Sequence, residues 1–208
     1  MSQQKKRRQG TLAKALRAQK RSAYVTAILD AGEIVIGEDG FDGATMASIA
    51  KVAGVSVGTL YNYFPSKDDV FDGIKARAIA DLLSRIDNSV AEGAPEAQLK
   101  QLARAIFEFI AERGALIGVG RGLGARAEAP EGQERFAERV AEVVIAGMES
   151  GLIRADVELT VLIPVFGGVL SGTIDAWLRD RDAFHLPDRA DAVVDIFLDG
   201  ARPATGVR

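Results

Sequence analysis

Apolar residues recur at helical spacing along most of the chain. From Gln19 to about Glu38, Ala23, Ala27, Ile28, Ala31, Ile34 and Val35 form one stripe and predict a first helix. Asp39-Gly40 and Asp42-Gly43 then punctuate a loop in which Phe41 serves as a core plug. A long helix follows over about Lys67 to Ala91, with Val70, Phe71, Ile74, Ala78, Leu82, Ile86 and Val90 on one face. After the break at Gly93-Ala94-Pro95, Leu99, Leu102, Ile106, Phe107, Phe109 and Ile110 mark a helix from about Glu96 to Arg113. Phe136, Val140, Val143, Val144, Gly147 and Met148 mark another from about Glu131 to Ser150, closed by Gly151. Residues 156–181 are the most apolar segment; Pro164 predicts a kink or an N-terminal turn there, and Gly167, Gly168, Ser171 and Gly172 allow close approach by a second helix. After Pro187 a last helix carries Ala190, Val193, Val194, Phe197 and Leu198. The pattern is all-α, with about nine helices.

Between the first two helices lies a denser signal, residues 45–67. Two short helical patterns flank Ala53-Gly54-Val55. Ala50 is small enough for two helices to cross closely, and Gly54 can take positive φ just past the first of them. Ile49, Val55 and Leu60 are placed to fix the angle between the pair. Thr45, Ser56 and Ser66 each sit as N-caps, and Ser66 has Asp69 three residues on. The unit reads as a helix-turn-helix, whose second helix enters a DNA major groove.

Over residues 45–71 the pattern T-M-x-x-I-A-x-x-A-G-V-S-x-G-T-L-Y-x-Y-F-x-S-K-x-x-V resembles the DNA-binding signature of the tetracycline-repressor (TetR) family of one-component bacterial regulators. The quoted stretch is about an eighth of the chain. It implies a three-helix DNA-binding domain followed by a larger helical domain for ligand binding and dimerisation. The expected divisions are a basic flexible arm at 1–18, the DNA-binding domain at 19–66 and the helical domain at 67–203. Carried over residue by residue, it implies that Val57, Gly58, Thr59 and Asn62 face base edges. Tyr61, Tyr63, Lys67 and Thr45 would hold phosphates, with Ser56 capping the recognition helix among them. Gly58 would let the backbone come near the bases, and Thr59 offers both hydroxyl and methyl.

Composition narrows the function. The sequence is 48% hydrophobic and 26% charged, as expected of a soluble globular protein. No cysteine is present and His185 is the one histidine, which leaves thiol sensing and Cys- or His-rich metal sites without ligands. The basic, polar start lacks the apolar core of a signal peptide, and the longest uncharged run, 16 residues between Glu158 and Asp175, is short for a membrane span. A cytoplasmic protein with no membrane partner is expected. The net charge of −3 conceals an asymmetry, because residues 1–75 hold 11 Lys/Arg against 8 Asp/Glu and the remainder is acidic. The first 29 residues hold eight basic side chains and no acid, and Lys5, Lys6, Arg7 and Arg8 can either reach phosphates or stay solvated.

The enzyme reading rests on one stretch, Gly118–Gly124, where Gly120-x-Gly122-x-x-Ala125 loosely matches a dinucleotide fingerprint. That fingerprint needs a strand before it and an acid at the tip of a second strand. Here an amphipathic helix precedes it, and Glu138 and Glu142 fall inside another helical pattern. A short helix weakened by Gly118, Gly120, Gly122 and Gly124, each costing roughly 1 kcal/mol against alanine, is the simpler reading. Glu108/Glu112 and Glu138/Glu142 are i,i+4 pairs on solvated faces, and no activated nucleophile emerges. The chain is expected to be a regulator and not an enzyme, with no cofactor. Its effector would be a small apolar or amphipathic molecule, of acyl or acyl-CoA type if arginines such as Arg104, Arg113 or Arg121 meet it. Phe107, Ile110, Phe136, Val140, Phe166 and Trp177 are the expected lining. The last two helices would form a homodimer, and a palindromic double-stranded operator would be the DNA partner. An effector-independent DNA-binding protein is the alternative.

Overall fold

The computed structural model describes residues 2–89, 93–122 and 131–202, with side chains over 14–89, 93–113 and 134–202. Among them are eight α-helices, one 3₁₀ turn and no strand, against about nine helices expected. They are α1 (Ser2–Gly43), α2 (Met46–Val52), α3 (Val57–Tyr61), α4 (Lys67–Ser89), α5 (Pro95–Gly122), α6 (Glu131–Glu149), α7 (Leu159–Arg179) and α8 (Ala190–Ala201), with the 3₁₀ turn at Leu186–Arg189. The chain divides into two compact units inside α4, between Lys75 and Ala76.

The first unit is built on α1. Its buried stripe is Ile28, Leu29, Ala31, Val35 and Ile36, and Ile34, expected on that stripe, is 49% exposed. The helix starts at Ser2, so the flexible arm expected at 1–18 is instead a continuation of α1. Lysine, arginine, glutamine, leucine and alanine are all good helix formers, and no proline interrupts them. At the other end Gly40, at φ 73°, breaks the helix ahead of the loop. α1 crosses α4 at a pair of glycines. A Cβ on Gly32 would lie 2.9 Å from Val70 and Ile74, and one on Gly73 would lie 2.9 Å from Leu29 and 3.1 Å from Phe64. That crossing is the tight contact of the unit.

The second unit is organised by α5, which packs against α6, α7, α8 and the 3₁₀ turn. Phe107, Leu99 and Leu102 of α5 are fully buried, and α7 contributes Leu162, Phe166, Leu170, Ile174 and Trp177 to the same core. Phe166 and Phe197 meet with ring centroids 5.0 Å apart and tilted by 58°, a favourable aromatic geometry. α5 continues as one helix through Gly122, so the glycines at 118, 120 and 122 do not begin a separate short helix. The dinucleotide reading thus loses its strand and turn at Gly120 and Gly122; Gly124 and Ala125 lie outside the described residues. Pro164 is accommodated within α7, near its start. α7 is by length and composition apolar enough to cross a membrane, which the uncharged run alone had not suggested, although one face of it is seated in this core.

Candidate nucleic-acid interface

The three caps read from the sequence are formed. Thr45 Oγ1 accepts from the Ser48 amide at 3.0 Å, and the Thr45 amide donates back to Ser48 Oγ at 3.0 Å, closing a capping box at the start of α2. Ser56 Oγ accepts from the Thr59 amide at 3.0 Å at the start of α3. Ser66 Oγ accepts from the Asp69 amide at 3.1 Å at the start of α4. Gly54 takes φ 68°, the left-handed conformation that lets the Val55 amide reach back to the Ala50 carbonyl at 3.0 Å. Ile49, Ala50 and Leu60 are buried, so α2 and α3 are held at a fixed angle by apolar contact.

That frame decides which side chains of α3 are free. Val57 is 40% exposed and Tyr61 50% exposed. Gly58 and Asn62 are exposed as well, and a Cβ on Gly58 would meet nothing nearer than Ser56 Oγ at 4.0 Å. Thr59 is different: it is half-buried and its hydroxyl is 2.8 Å from Ser56 Oγ, so part of its hydrogen-bonding capacity is spent on the cap. Tyr63 is half-buried against Tyr24 of α1, with centroids 5.5 Å apart. Lys67 is also engaged. Its Nζ donates to the Phe41 carbonyl at 2.5 Å and lies 4.4 Å from the centre of the Phe41 ring, which meets Phe71 at a tilt of 57°. An ammonium has three donors, so two remain for a phosphate. Nothing in the sequence pointed to Tyr24 or Phe41 as neighbours of this surface. Lys51 and Val52, exposed at the end of α2, were also missed, although Lys51 is one of the few cations in the motif.

In the second unit, Phe107, Val140, Phe166 and Trp177 are buried in one apolar cluster, and Ile110 and Phe136 pack on it half-buried. Arg104 and Arg113 are not among them. Arg104 pairs with Asp191 at 3.2 Å and Arg113 with Asp81 at 2.7 Å, and Arg121 lies outside the described side chains. His185 is exposed, beside Asp188 at 3.1 Å. A second apolar row on α7, Val161, Val165, Gly168 and Gly172, faces away from the core, and Ile196 of α8 is 65% exposed.

Residues 28–74 match the family described as bacterial regulatory proteins, tetR family, and residues 132–202 match the C-terminal region of the MAATS-type transcriptional repressors. The chain belongs to the TetR family. Its relatives include the fatty acid metabolism regulator protein of Bacillus subtilis (strain 168), 24% identical over 189 residues, which are 88% of this chain and 97% of the relative. The fatty acid degradation regulator FadR of Bacillus halodurans superposes with a TM-score of 0.72 at 25% identity, over 85% of this chain and 99% of that one. FadR from Bacillus subtilis, solved in complex with stearoyl-CoA, gives 0.73 at 22% identity over 85% and 99% and shares the fold. As a TetR-family regulator the chain carries its helix-turn-helix in α2 and α3 and a helical C-terminal domain in α5 to α8.

Proposed function

We propose that this TetR-family chain is a dimeric transcriptional repressor that leaves a palindromic operator when a long-chain acyl-type molecule, such as an acyl-CoA, binds its C-terminal domain. The observation that carries the reading is the surface of α3, where Val57, Gly58 and Tyr61, with Asn62 at the C-cap, stand exposed on a helix capped by Ser56 and anchored through buried Leu60. Apolar and amide side chains suit direct reading of thymine methyl groups and adenine edges, and Gly58 leaves room for the backbone to approach. Thr45, Tyr63 and Lys67 are phosphate-binding candidates around it. The exposed apolar row on α7 and exposed Ile196 on α8 support a homodimer through the last two helices, which would set two recognition helices on half-sites about one helical turn apart or somewhat more. A DNA target is consistent with a cytoplasmic protein.

The effector class is supported by the uniformly apolar cluster of Phe107, Phe136, Val140, Phe166 and Trp177, and by full-length relatives that regulate fatty acid metabolism. A ligand that moves the repressor from 1:99 to 99:1 between two states needs about a 10⁴-fold preference for one of them. α4 belongs to both units, so repacking against α5 and α6 can be passed along one continuous helix. The test is selection of binding duplexes from a random pool with the purified protein, then titration with stearoyl-CoA, stearate and free CoA, with Zn²⁺ and peroxide as controls. Release by stearoyl-CoA or stearate is expected. Release by peroxide or Zn²⁺ alone overturns the effector assignment; failure to select any sequence overturns the DNA reading.

A further inference from the structure

α1 outgrows the unit it organises. Its core-facing residues begin at Ile28, while residues 14–23 are all exposed, so about 15 Å of described helix at 1.5 Å per residue projects past the packed part. The charge on that overhang is not spread evenly. Lys14, Arg17, Lys20 and Arg21 lie ten, seven, four and three residues before Tyr24, which places them on the face of α1 that Tyr24 shares. Four and seven residues after Tyr24 that face becomes Ile28 and Ala31, both buried. One stripe of α1 therefore turns from apolar to basic where the unit stops covering it.

Tyr24 fixes where this stripe begins relative to the recognition helix. Its ring stacks on Tyr63, two residues beyond the end of α3, and Lys20 Nζ sits 5.8 Å from the Tyr24 ring centre. The basic stripe thus starts beside the C-terminal end of α3 and runs outward along α1. α2 and α3 themselves supply one cation, Lys51. A membrane surface is the other polyanion such a helix could meet, but membrane binding needs an apolar face, and Leu16 is the one large apolar side chain over residues 14–22.

We propose that the Lys14–Arg17–Lys20–Arg21 stripe is a second DNA-contacting surface, binding backbone phosphates outside the half-site that α3 reads. It rests on the DNA-binding reading and adds to it a contact independent of base sequence, which supplies affinity that the helix-turn-helix lacks in charge.

The test compares full-length wild type with the triple variant Lys14→Gln/Arg17→Gln/Arg21→Gln, in which glutamine keeps helix propensity and Lys20 keeps its place over Tyr24. A body variant, Arg135→Gln/Arg179→Gln/Arg181→Gln, removes the same charge elsewhere. Anisotropy on a random-sequence 40-bp duplex across a salt series should show the slope of log K against log[salt] falling by about 2–3 units per protomer for the arm variant, at roughly 0.9 per lost phosphate contact. The body variant should keep the wild-type slope. Hydroxyl-radical footprints on a duplex selected by wild type should shorten at both outer ends and keep their centre. A charge-retaining Arg17→Lys/Arg21→Lys protein should restore slope and footprint, which separates lost charge from lost helix. An unchanged slope and footprint in the arm variant, or an equal loss in the body variant, overturns the proposal. Binding to anionic vesicles but not to DNA by wild type overturns it together with the DNA reading, whereas sequence selection by wild type with an unaffected arm variant sinks this inference alone.

Discussion

Replacing Lys67 by methionine separates two roles that one side chain can hold. In the structure its Nζ donates to the Phe41 carbonyl at 2.5 Å and lies 4.4 Å from the Phe41 ring centre. That carbonyl follows Gly40, where the helical backbone of α1 is broken. The methionine side chain would keep the apolar stem and remove both interactions. A charge-assisted hydrogen bond contributes about 1.5–3 kcal/mol and an exposed cation–π contact about 0.5–1 kcal/mol. Lys67 is only half-buried and water can replace it on the carbonyl, so the expected loss falls below the sum of the two, at about 1–2 kcal/mol. For a chain of this size that lowers the melting midpoint by about 2–8 °C. A phosphate contact by the remaining donors adds a separate signature, a salt slope reduced by about one unit per protomer. Calorimetry and DNA anisotropy over a salt series read the two independently. A Lys67→Met protein that melts like wild type refutes the tether, and one that keeps the wild-type slope refutes the phosphate contact.

Gly58→Ala should leave the melting point unchanged or raise it slightly, because the new methyl meets nothing nearer than 4.0 Å, yet it should weaken operator binding if the backbone approaches the bases; unchanged binding in anisotropy argues against that approach. Val165→Asp with Ile196→Asp should convert a dimer to a monomer in sedimentation at micromolar concentration, since both residues are exposed and outside the core. Glu112 is held below the ordinary carboxylate range, first by its hydrogen bonds from Arg85 at 3.0 and 2.5 Å. Its contribution is therefore present above the unfolded carboxylate pKa and lost as pH falls through the lowered one; at the exposure of this pair it is at most about 1 kcal/mol. Glu112→Gln should lower the melting point by no more than about 2–4 °C at pH 7 and by nothing at pH 2, measured by circular dichroism.

The helix-turn-helix was legible because its signals are local. Caps at Thr45, Ser56 and Ser66 reach three residues, and Gly54 needs only its own φ, so the sequence contains everything that forms them. The start of α1 was missed for the converse reason. Residues 1–18 carry no apolar stripe, and a reading that requires one stops at the edge of the core; helix propensity and the rest of α1 continue the backbone past it. Lys67 looked like a free cation because Phe41 lies 26 residues earlier in the chain. Gly32 and Gly73 carry no side chain that a periodicity could register, yet each is where the other helix comes nearest. Among the expected effector residues, Phe107, Val140, Phe166 and Trp177 did come together, since apolar residues on amphipathic helices share one core. Arg104 and Arg113 did not join them, because nearby aspartates on α8 and α4 hold them.

α7 shows how one helix can satisfy two demands. Leu162, Phe166, Leu170, Ile174 and Trp177 are large and buried, and they are the part of the core that α7 supplies. The opposite row, Val161, Val165, Gly168 and Gly172, adds the apolarity that brings the helix to the composition of a membrane span. A lipid-facing surface gains nothing from glycines in that row. A packed helix gains backbone approach from them, at a cost of roughly 1 kcal/mol each in helix propensity. Among the described residues, no side chain lies within 4 Å of a Cβ placed on Gly168 or Gly172, so none of them uses the space these glycines leave. That combination, small residues in an exposed apolar row together with exposed Ile196 on α8, favours a second copy of the chain over lipid as the partner of α7.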